Sequence, residues 1–183
     1  MRRLKLQMQM SVDGFVAGPE GQLDWMTREH DEKLLAFIRH LADTSDTILM
    51  GRKMTPGFVN YWENVKPESP EYEFAERMVG TPKIVFSRTT KKIDGKNVRV
   101  ENGPLAETVK QLKEKSGKDL LVYGGAGFVS SLIENRLIDE LNLFINPIAI
   151  GKGMQIFSQR TPLTFIKSVP YSGGIVVNTY KPQ

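Results

Sequence analysis

Leu4, Leu6, Met8, Met10 and Val12 alternate with Lys5, Gln7, Gln9 and Ser11. A period of two predicts a strand. Asp13-Gly14 and Gly18-Pro19-Glu20-Gly21 then predict an irregular loop. Leu34, Ile38 and Leu41 share one face at helical spacing. Thr47–Met50 and Lys83–Phe86 are short apolar runs of the kind that form buried strands. The first ends at Gly51-Arg52-Lys53 and the second at Ser87-Arg88. Between them, Ser69-Pro70 predicts a helix with Ser as N-cap, closed by Gly80.

Val98-Arg99-Val100 predicts a further small strand. Asn102-Gly103-Pro104 opens a helix carrying Leu105, Val109 and Leu112. Leu120–Tyr123 reads as a strand that runs into Gly124-Gly125-Ala126-Gly127. Phe128, Val129, Leu132 and Ile133 form the next helical stripe. Leu141–Ile150 is an extended apolar segment in which Pro147 predicts a bulge or an edge position. Leu163–Val169 and Ile175–Tyr180 predict a closing hairpin around Ser172-Gly173-Gly174. Strands and helices thus alternate through the middle of the chain. The expected fold is α/β: three layers, a mostly parallel sheet covered on both faces, and a C-terminal antiparallel hairpin.

Composition narrows the function classes. The 183 residues suit one domain spanning 1–183, with no repeat or linker to divide it. A net charge of +4 comes without a long basic block, so nucleic-acid binding is not expected. Cysteine is absent, and His30 and His40 are the only histidines, so neither a metal site nor a hydrolytic triad is expected. No apolar run reaches the roughly 18 residues of a membrane span. No apolar signal region follows Met1-Arg2-Arg3-Leu4-Lys5, and a cytoplasmic protein is expected.

In open α/β sheets, ligands bind beyond the carboxyl ends of the strands. Three such ends carry suitable chemistry: Gly51-Arg52-Lys53, Ser87-Arg88-Thr89 and Gly124-Gly125-Ala126-Gly127. Glycines let a phosphate approach the backbone, and a following helix offers it free N–H groups. Arginine grips phosphate in a fork, and near a ribose it selects a 2′-phosphate. The glycine turn alone is equally a tight strand-to-helix connection, and it lacks the last glycine of the dinucleotide fingerprint. Trp25 either walls a ligand pocket or caps the core, and Asp31 and Glu32 read as helix-start caps.

Ile48-Leu49-Met50-Gly51-Arg52-Lys53, Ser87-Arg88-Thr89 and Gly124-Gly125 resemble, in order and placement, the cofactor motifs of dihydrofolate reductases. Ser11-Val12-Asp13-Gly14, Gly124-Gly125-Ala126, Leu137-Ile138-Asp139-Glu140-Leu141, Pro147, Gly151-Lys152-Gly153 and Phe157 resemble more closely the reductase domain of the bacterial riboflavin-biosynthesis deaminase-reductase. The resemblance implies an NADPH-dependent reductase and a homodimer. A long apolar edge at Leu141–Ile150 would also need covering. It implies 5-amino-6-(5-phosphoribosylamino)uracil as the reference substrate.

In that frame Arg52, Lys53, Ser87, Arg88 and Thr89 hold the adenosine phosphates. Gly51 and Gly124 to Phe128 receive the pyrophosphate. Ala17 and Gly18 lie beside the nicotinamide, and Trp25 and Phe58 wall the substrate pocket. The acid of dihydrofolate reductases has no single heir. Counting from Trp25 reaches His30 with Asp31 next, and counting back from Gly51 reaches Leu35. Asp31 is the candidate proton donor. Dihydrofolate reduction, or NADPH binding without catalysis, are the alternatives.

Overall fold

The computed structural model describes residues 1–27 and 31–183. Among these residues, eight strands form one sheet: β1 (Leu4–Ser11), β2 (Ser45–Gly51), β3 (Lys83–Phe86), β4 (Val98–Glu101), β5 (Asp119–Gly124), β6 (Glu140–Asn146), β7 (Leu163–Pro170) and β8 (Val176–Pro182). Their order is β4-β3-β2-β5-β1-β6-β8-β7. The first six run parallel, and β8 and β7 close the sheet antiparallel. Among the described residues, five helices connect them: α1 (Glu32–Asp43), α2 (Thr55–Glu63), α3 (Tyr72–Gly80), α4 (Leu105–Glu114) and α5 (Ala126–Glu134).

β1 shows why the alternation was visible and what it concealed. Leu4, Leu6, Met8 and Met10 sink into the main core with Val109 and Leu112 of α4 and Val129 and Leu132 of α5. Lys5 and Gln7 point the other way, yet they are buried too. The strand lies between β5 and β6, so its polar face meets α1 rather than water. Leu34 and Leu41 of α1 pack there with Leu121, Phe144 and Val177. Val12, the last term of the alternation, lies beyond the strand and is exposed.

Two expectations need correction, and one helix was not foreseen. Leu141–Ile150 is not an edge: β6 ends at Asn146, immediately before Pro147, and sits between β1 and β8. The free edges are β4 and β7, and β7 carries the exposed Phe165 and Ile166. The Ser69-Pro70 helix begins two residues later than its first expected turn residue, at Tyr72. Ser69 folds into a turn instead, its Oγ accepting from Glu71 N and its carbonyl from Tyr72 N. Helix α2 had no sequence signal. Thr-Pro-Gly-Phe-Val is a poor helix run by propensity, and packing of Phe58, Val59 and Trp62 carries it.

Candidate functional site

Parallel pairing places the carboxyl ends of six strands along one edge of the sheet. In register, Gly51 lies opposite Phe86, Met50 opposite Gly124, and Phe86 opposite Glu101. The three stretches separated by up to 73 positions in the chain are therefore neighbours on β3, β2 and β5. Phe128, in the first turn of α5, fastens them. Its ring stacks on Phe86 at 5.3 Å between centroids and 21° between planes. A Cβ on Gly51 would stand 2.8 Å from the Cβ of Phe128 and 3.6 Å from the backbone N of Gly125. Gly124 has φ +139°, which favours glycine. Gly125 is the N-cap of α5 and brings no side chain to the first-turn N–H groups of Ala126, Gly127 and Phe128. Gly127 is exposed, with open space where its Cβ would be.

The cations stand around this edge. Arg52, Lys53 and Arg88 are exposed and enter no ion pair with the described residues. The loop after β3 is built on Ser87, whose Oγ accepts from Thr89 N at 3.2 Å and Thr90 N at 2.8 Å. Asn102 closes the loop by donating to the carbonyls of Ser87 (2.6 Å) and Thr90 (2.9 Å). Its role was hidden in the sequence, where Asn-Gly-Pro signalled only a helix start.

Ala17 and Gly18 follow β1 at the same edge. Ala17 pairs with Met154: its carbonyl accepts from Met154 N, and Val16 N donates to Met154 O, both at 2.8 Å. Asp13 ties the two loops. It accepts from Ser11 Oγ at 2.6 Å, Gly151 N at 2.7 Å and Ile150 N at 3.2 Å, and the Ser11 bond leads in holding its carboxyl below the usual range. The Ser11-Val12-Asp13-Gly14 and Gly151-Lys152-Gly153 stretches are thus two halves of one clamp. Gly153 is needed there, because a Cβ would collide with the Ala17 carbonyl oxygen.

The two expected wall residues are not brought into contact. Trp25 is half-buried and donates from Nε1 to the Gln22 carbonyl at 3.1 Å. Two residues on, Thr27 N donates to Asn146 Oδ1 at 3.0 Å, which anchors this loop at the end of β6. Phe58 packs elsewhere, with Tyr123 at 5.5 Å and Trp62 at 6.1 Å between ring centroids. Beside it, burial pushes the Tyr123 hydroxyl well above its ordinary range, with Arg77 drawing it back.

Asp31 is the N-cap of α1, as its place before the helix predicts. Its Oδ1 accepts from Leu34 N at 2.7 Å, and its Oδ2 accepts from Ser172 N and Oγ, each at 2.8 Å. The Ser172 backbone bond, then the Leu34 bond, hold the carboxyl below its ordinary value. His30 lies outside the described residues. His40 sits exposed in the last turn of α1, and Leu35 is half-buried on the same helix.

Among the described residues no group of His, Asp or Glu has the arrangement of a metal site, and no helix is long and apolar enough to cross a membrane. Two open grooves lie at the opposite, amino edge of the sheet. One is lined by Asp46, Arg77 and Lys118, the other by Arg2, Lys83, Arg99 and Lys115.

A mostly parallel sheet ending in an antiparallel hairpin, with this glycine-lined edge, defines a protein of the dihydrofolate-reductase-like fold. The dihydrofolate reductase of Enterococcus faecalis, solved with NADP(H) and RAB-propyl, superposes with a TM-score of 0.67 at 17% identity, covering 99% of this chain and 96% of that one. More narrowly, the chain belongs to the RibD C-terminal domain family, whose sequence pattern matches residues 2–177.

Within reach of that family, the uncharacterized protein YyaP of Bacillus subtilis (strain 168) is 32% identical over 182 residues, 98% of this chain and 94% of YyaP. The diaminohydroxyphosphoribosylaminopyrimidine deaminase/5-amino-6-(5-phosphoribosylamino)uracil reductase of Thermotoga maritima superposes with a TM-score of 0.68 at 17% identity. It is matched over all of this chain but only 57% of its own length.

Proposed function

We propose that this protein is an NADPH-dependent reductase that delivers hydride to a carbonyl or C=N carbon of a small polar substrate, with 5-amino-6-(5-phosphoribosylamino)uracil as the reference compound. The observation that carries the reading is the row formed by Gly51, Phe86–Ser87 and Gly124. The cradle fits the cofactor: glycines stand where a Cβ would crowd Phe128 or Met54, and cations with no ion-pair partner among the described residues flank them. Arg52, Lys53, Ser87, Arg88 and Thr89 would hold the adenosine phosphates. Gly51 and the turn Gly124 to Phe128 would receive the pyrophosphate, and Ala17 and Gly18 would flank the nicotinamide. NADPH supplies the hydride when bound, while the chain supplies position and exclusion of water. Trp25, on the loop anchored to Asn146, would close the substrate side.

Titrating NADPH and NADH against tryptophan fluorescence tests the cofactor. Binding of neither, or a preference for NADH, overturns the reading. Turnover with the pyrimidine distinguishes it from dihydrofolate reduction. A second reading, NADPH binding without catalysis, draws on the commitment of Asp31 to its cap, and robust reductase activity on any substrate excludes it. The protein is also proposed to be a cytoplasmic homodimer. The exposed Phe165 and Ile166 of edge strand β7 replace β6 as the physical ground for a dimer. A monomeric mass in light scattering at micromolar concentration contradicts it.

A further inference from the structure

The two grooves at the amino edge of the sheet differ in charge. One carries the carboxylate of Asp46. The other has a volume of about 420 Å³ and is lined by Arg2, Lys83, Arg99 and Lys115, with no described Asp or Glu on its wall. Small-molecule pockets span about 300–1,000 Å³, so this one has room for a compact ligand. It lies at the amino ends of β2, β3 and β4, where Ile48 is opposite Lys83 and Ile84 opposite Arg99. Leu112 and Lys115 border it from the end of α4.

Arg2 is fixed in this wall. Its side chain is 7% exposed. Nε donates to the Lys118 carbonyl, and Nη2 donates to Asp46 Oδ1 and, at 3.0 Å, to Thr47 Oγ1. Gly117 lies against the guanidinium. Its φ is +144°, and a Cβ there would stand 2.6 Å from Asp46 Oδ2 and 3.4 Å from Arg2 Cζ, so the close approach requires glycine. Nη1 has no hydrogen bond with any described residue, yet it is not sealed from solvent. Of the two grooves Arg2 lines this one, so the free donor is available here.

The charge of the wall is not balanced from within. Asp46 offsets Arg2. Lys83, 2% exposed, gives its ammonium protons to carbonyls at the end of α3 rather than to a carboxylate. Arg99 meets Glu101 only at 3.8 Å, and Lys115 has no ion pair with a described residue. Both are exposed and free to swing over a bound anion. Between the cations the wall is apolar, with Ile84 and Leu112 buried beside Val98. A pre-positioned guanidinium donor among unbalanced cations suits a phosphate oxygen. The apolar wall gives nothing to a bare ion and favours one joined to an apolar body.

We propose that this groove is a second ligand site, distinct from the carboxyl edge, for a phosphate monoester with a compact apolar body. Arg2 Nη1 donates to a phosphate oxygen, Arg99 and Lys115 close over the charge, and Ile84, Val98 and Leu112 pack the body. Nothing in this depends on what the carboxyl edge binds.

The probe is 1-naphthyl phosphate, titrated calorimetrically into the intact protein beside 1-naphthol and inorganic phosphate. Wild type is expected to bind naphthyl phosphate at least about tenfold more tightly than either half alone. Binding should weaken as salt rises and should be the same with and without saturating NADPH. Arg99→Glu and Lys115→Glu alter exposed side chains. Each is expected to weaken binding about fivefold, as when an exposed ion pair is replaced by repulsion, with Tm and NADPH affinity unchanged. Arg2→Lys keeps the charge but removes Nη1, and at a temperature where it is folded it should bind about tenfold more weakly.

Lys181→Glu, on β8 toward the other end of the sheet, makes the same change in net charge away from the groove. It is expected to leave binding as it is, which separates a local contact from the overall field of the protein. Naphthyl phosphate that binds no more tightly than inorganic phosphate overturns the proposal. So does binding that survives both charge reversals in the groove, that Lys181→Glu weakens equally, or that NADPH displaces. The titrations without NADPH decide the groove even if the carboxyl edge binds no cofactor.

Discussion

The Cβ of Phe128 stands 2.8 Å from the place a Cβ would occupy on Gly51. One side chain on α5 thus dictates glycine at the end of β2, and the same ring lies on Phe86 at the end of β3. Gly51→Ala is expected to push Phe128 off this stack. Overpacking of this kind costs about 1–3 kcal/mol, read as a lower denaturant midpoint, and NADPH affinity should fall with it.

Gly127→Ala separates stability from binding. Gly127 is helical, with open space around its missing Cβ, so alanine should stabilise by roughly 0.5–1 kcal/mol. If the pyrophosphate rests on the first turn of α5, the added methyl obstructs it, and NADPH binding weakens at least fivefold while Tm rises. A variant with higher Tm and unchanged NADPH affinity would move the phosphate away from this turn.

Arg88 is exposed and free of carboxylate partners among the described residues, so its loss should leave stability unchanged. Arg88→Ala is expected to weaken NADPH by roughly ten- to a hundredfold, the scale of one charge-assisted contact of about 1.5–3 kcal/mol, with NADH hardly affected. The wild-type advantage should shrink as salt rises. Equal losses for NADPH and NADH would remove Arg88 from the 2′-phosphate.

Much of this was legible because the parallel strands are short apolar runs ended by glycine or serine. Lys83–Phe86 matches its expected bounds, and the three strand ends chosen for their chemistry are neighbours in register. What was not legible depends on partners distant in sequence. Asp31 reads as a helix cap from its own segment, but nothing there reveals that Ser172, 141 positions away, takes its second oxygen. Asn102, Asn146 and Gln9 carry no local signal, since their hydrogen bonds cross between loops or strands. Leu141–Ile150 looked like an edge because nothing in one segment reveals that β8 will pair with it.

Acid sensitivity should report the Asp31 cap. Its carboxyl is held below the ordinary value by Ser172 and Leu34, so the folded state binds a proton less readily than the unfolded one. The sign follows from linkage. The contribution is full above the unfolded pKa of about 4 and is lost as pH falls through the lower folded pKa. Asp31→Ala should lower Tm by a constant amount between pH 7 and 5, and the gap to wild type should close below about pH 4. NADPH affinity at pH 7 should not change. A Tm gap that persists at low pH, or a loss of cofactor binding, would give Asp31 another role.

Lys83 offers the opposite sign. Its side chain is buried at the C-terminal end of α3, where Nζ donates to the carbonyls of Met78 (2.7 Å), Val79 (3.0 Å) and Thr81 (2.7 Å). Burial pulls its pKa down to about 8, with Glu63 pulling it back. Lys83→Met strands these acceptors and should cost about 2 kcal/mol near neutral pH. Between pH 8 and about 10.4 the unfolded lysine holds its proton more tightly than the folded one, so wild-type stability gains with rising pH. The difference between wild type and Lys83→Met, measured by denaturant unfolding at pH 7 and pH 9.5, should therefore widen. A narrowing gap would mean that the three carbonyl bonds hold the ammonium more strongly than burial disfavours it.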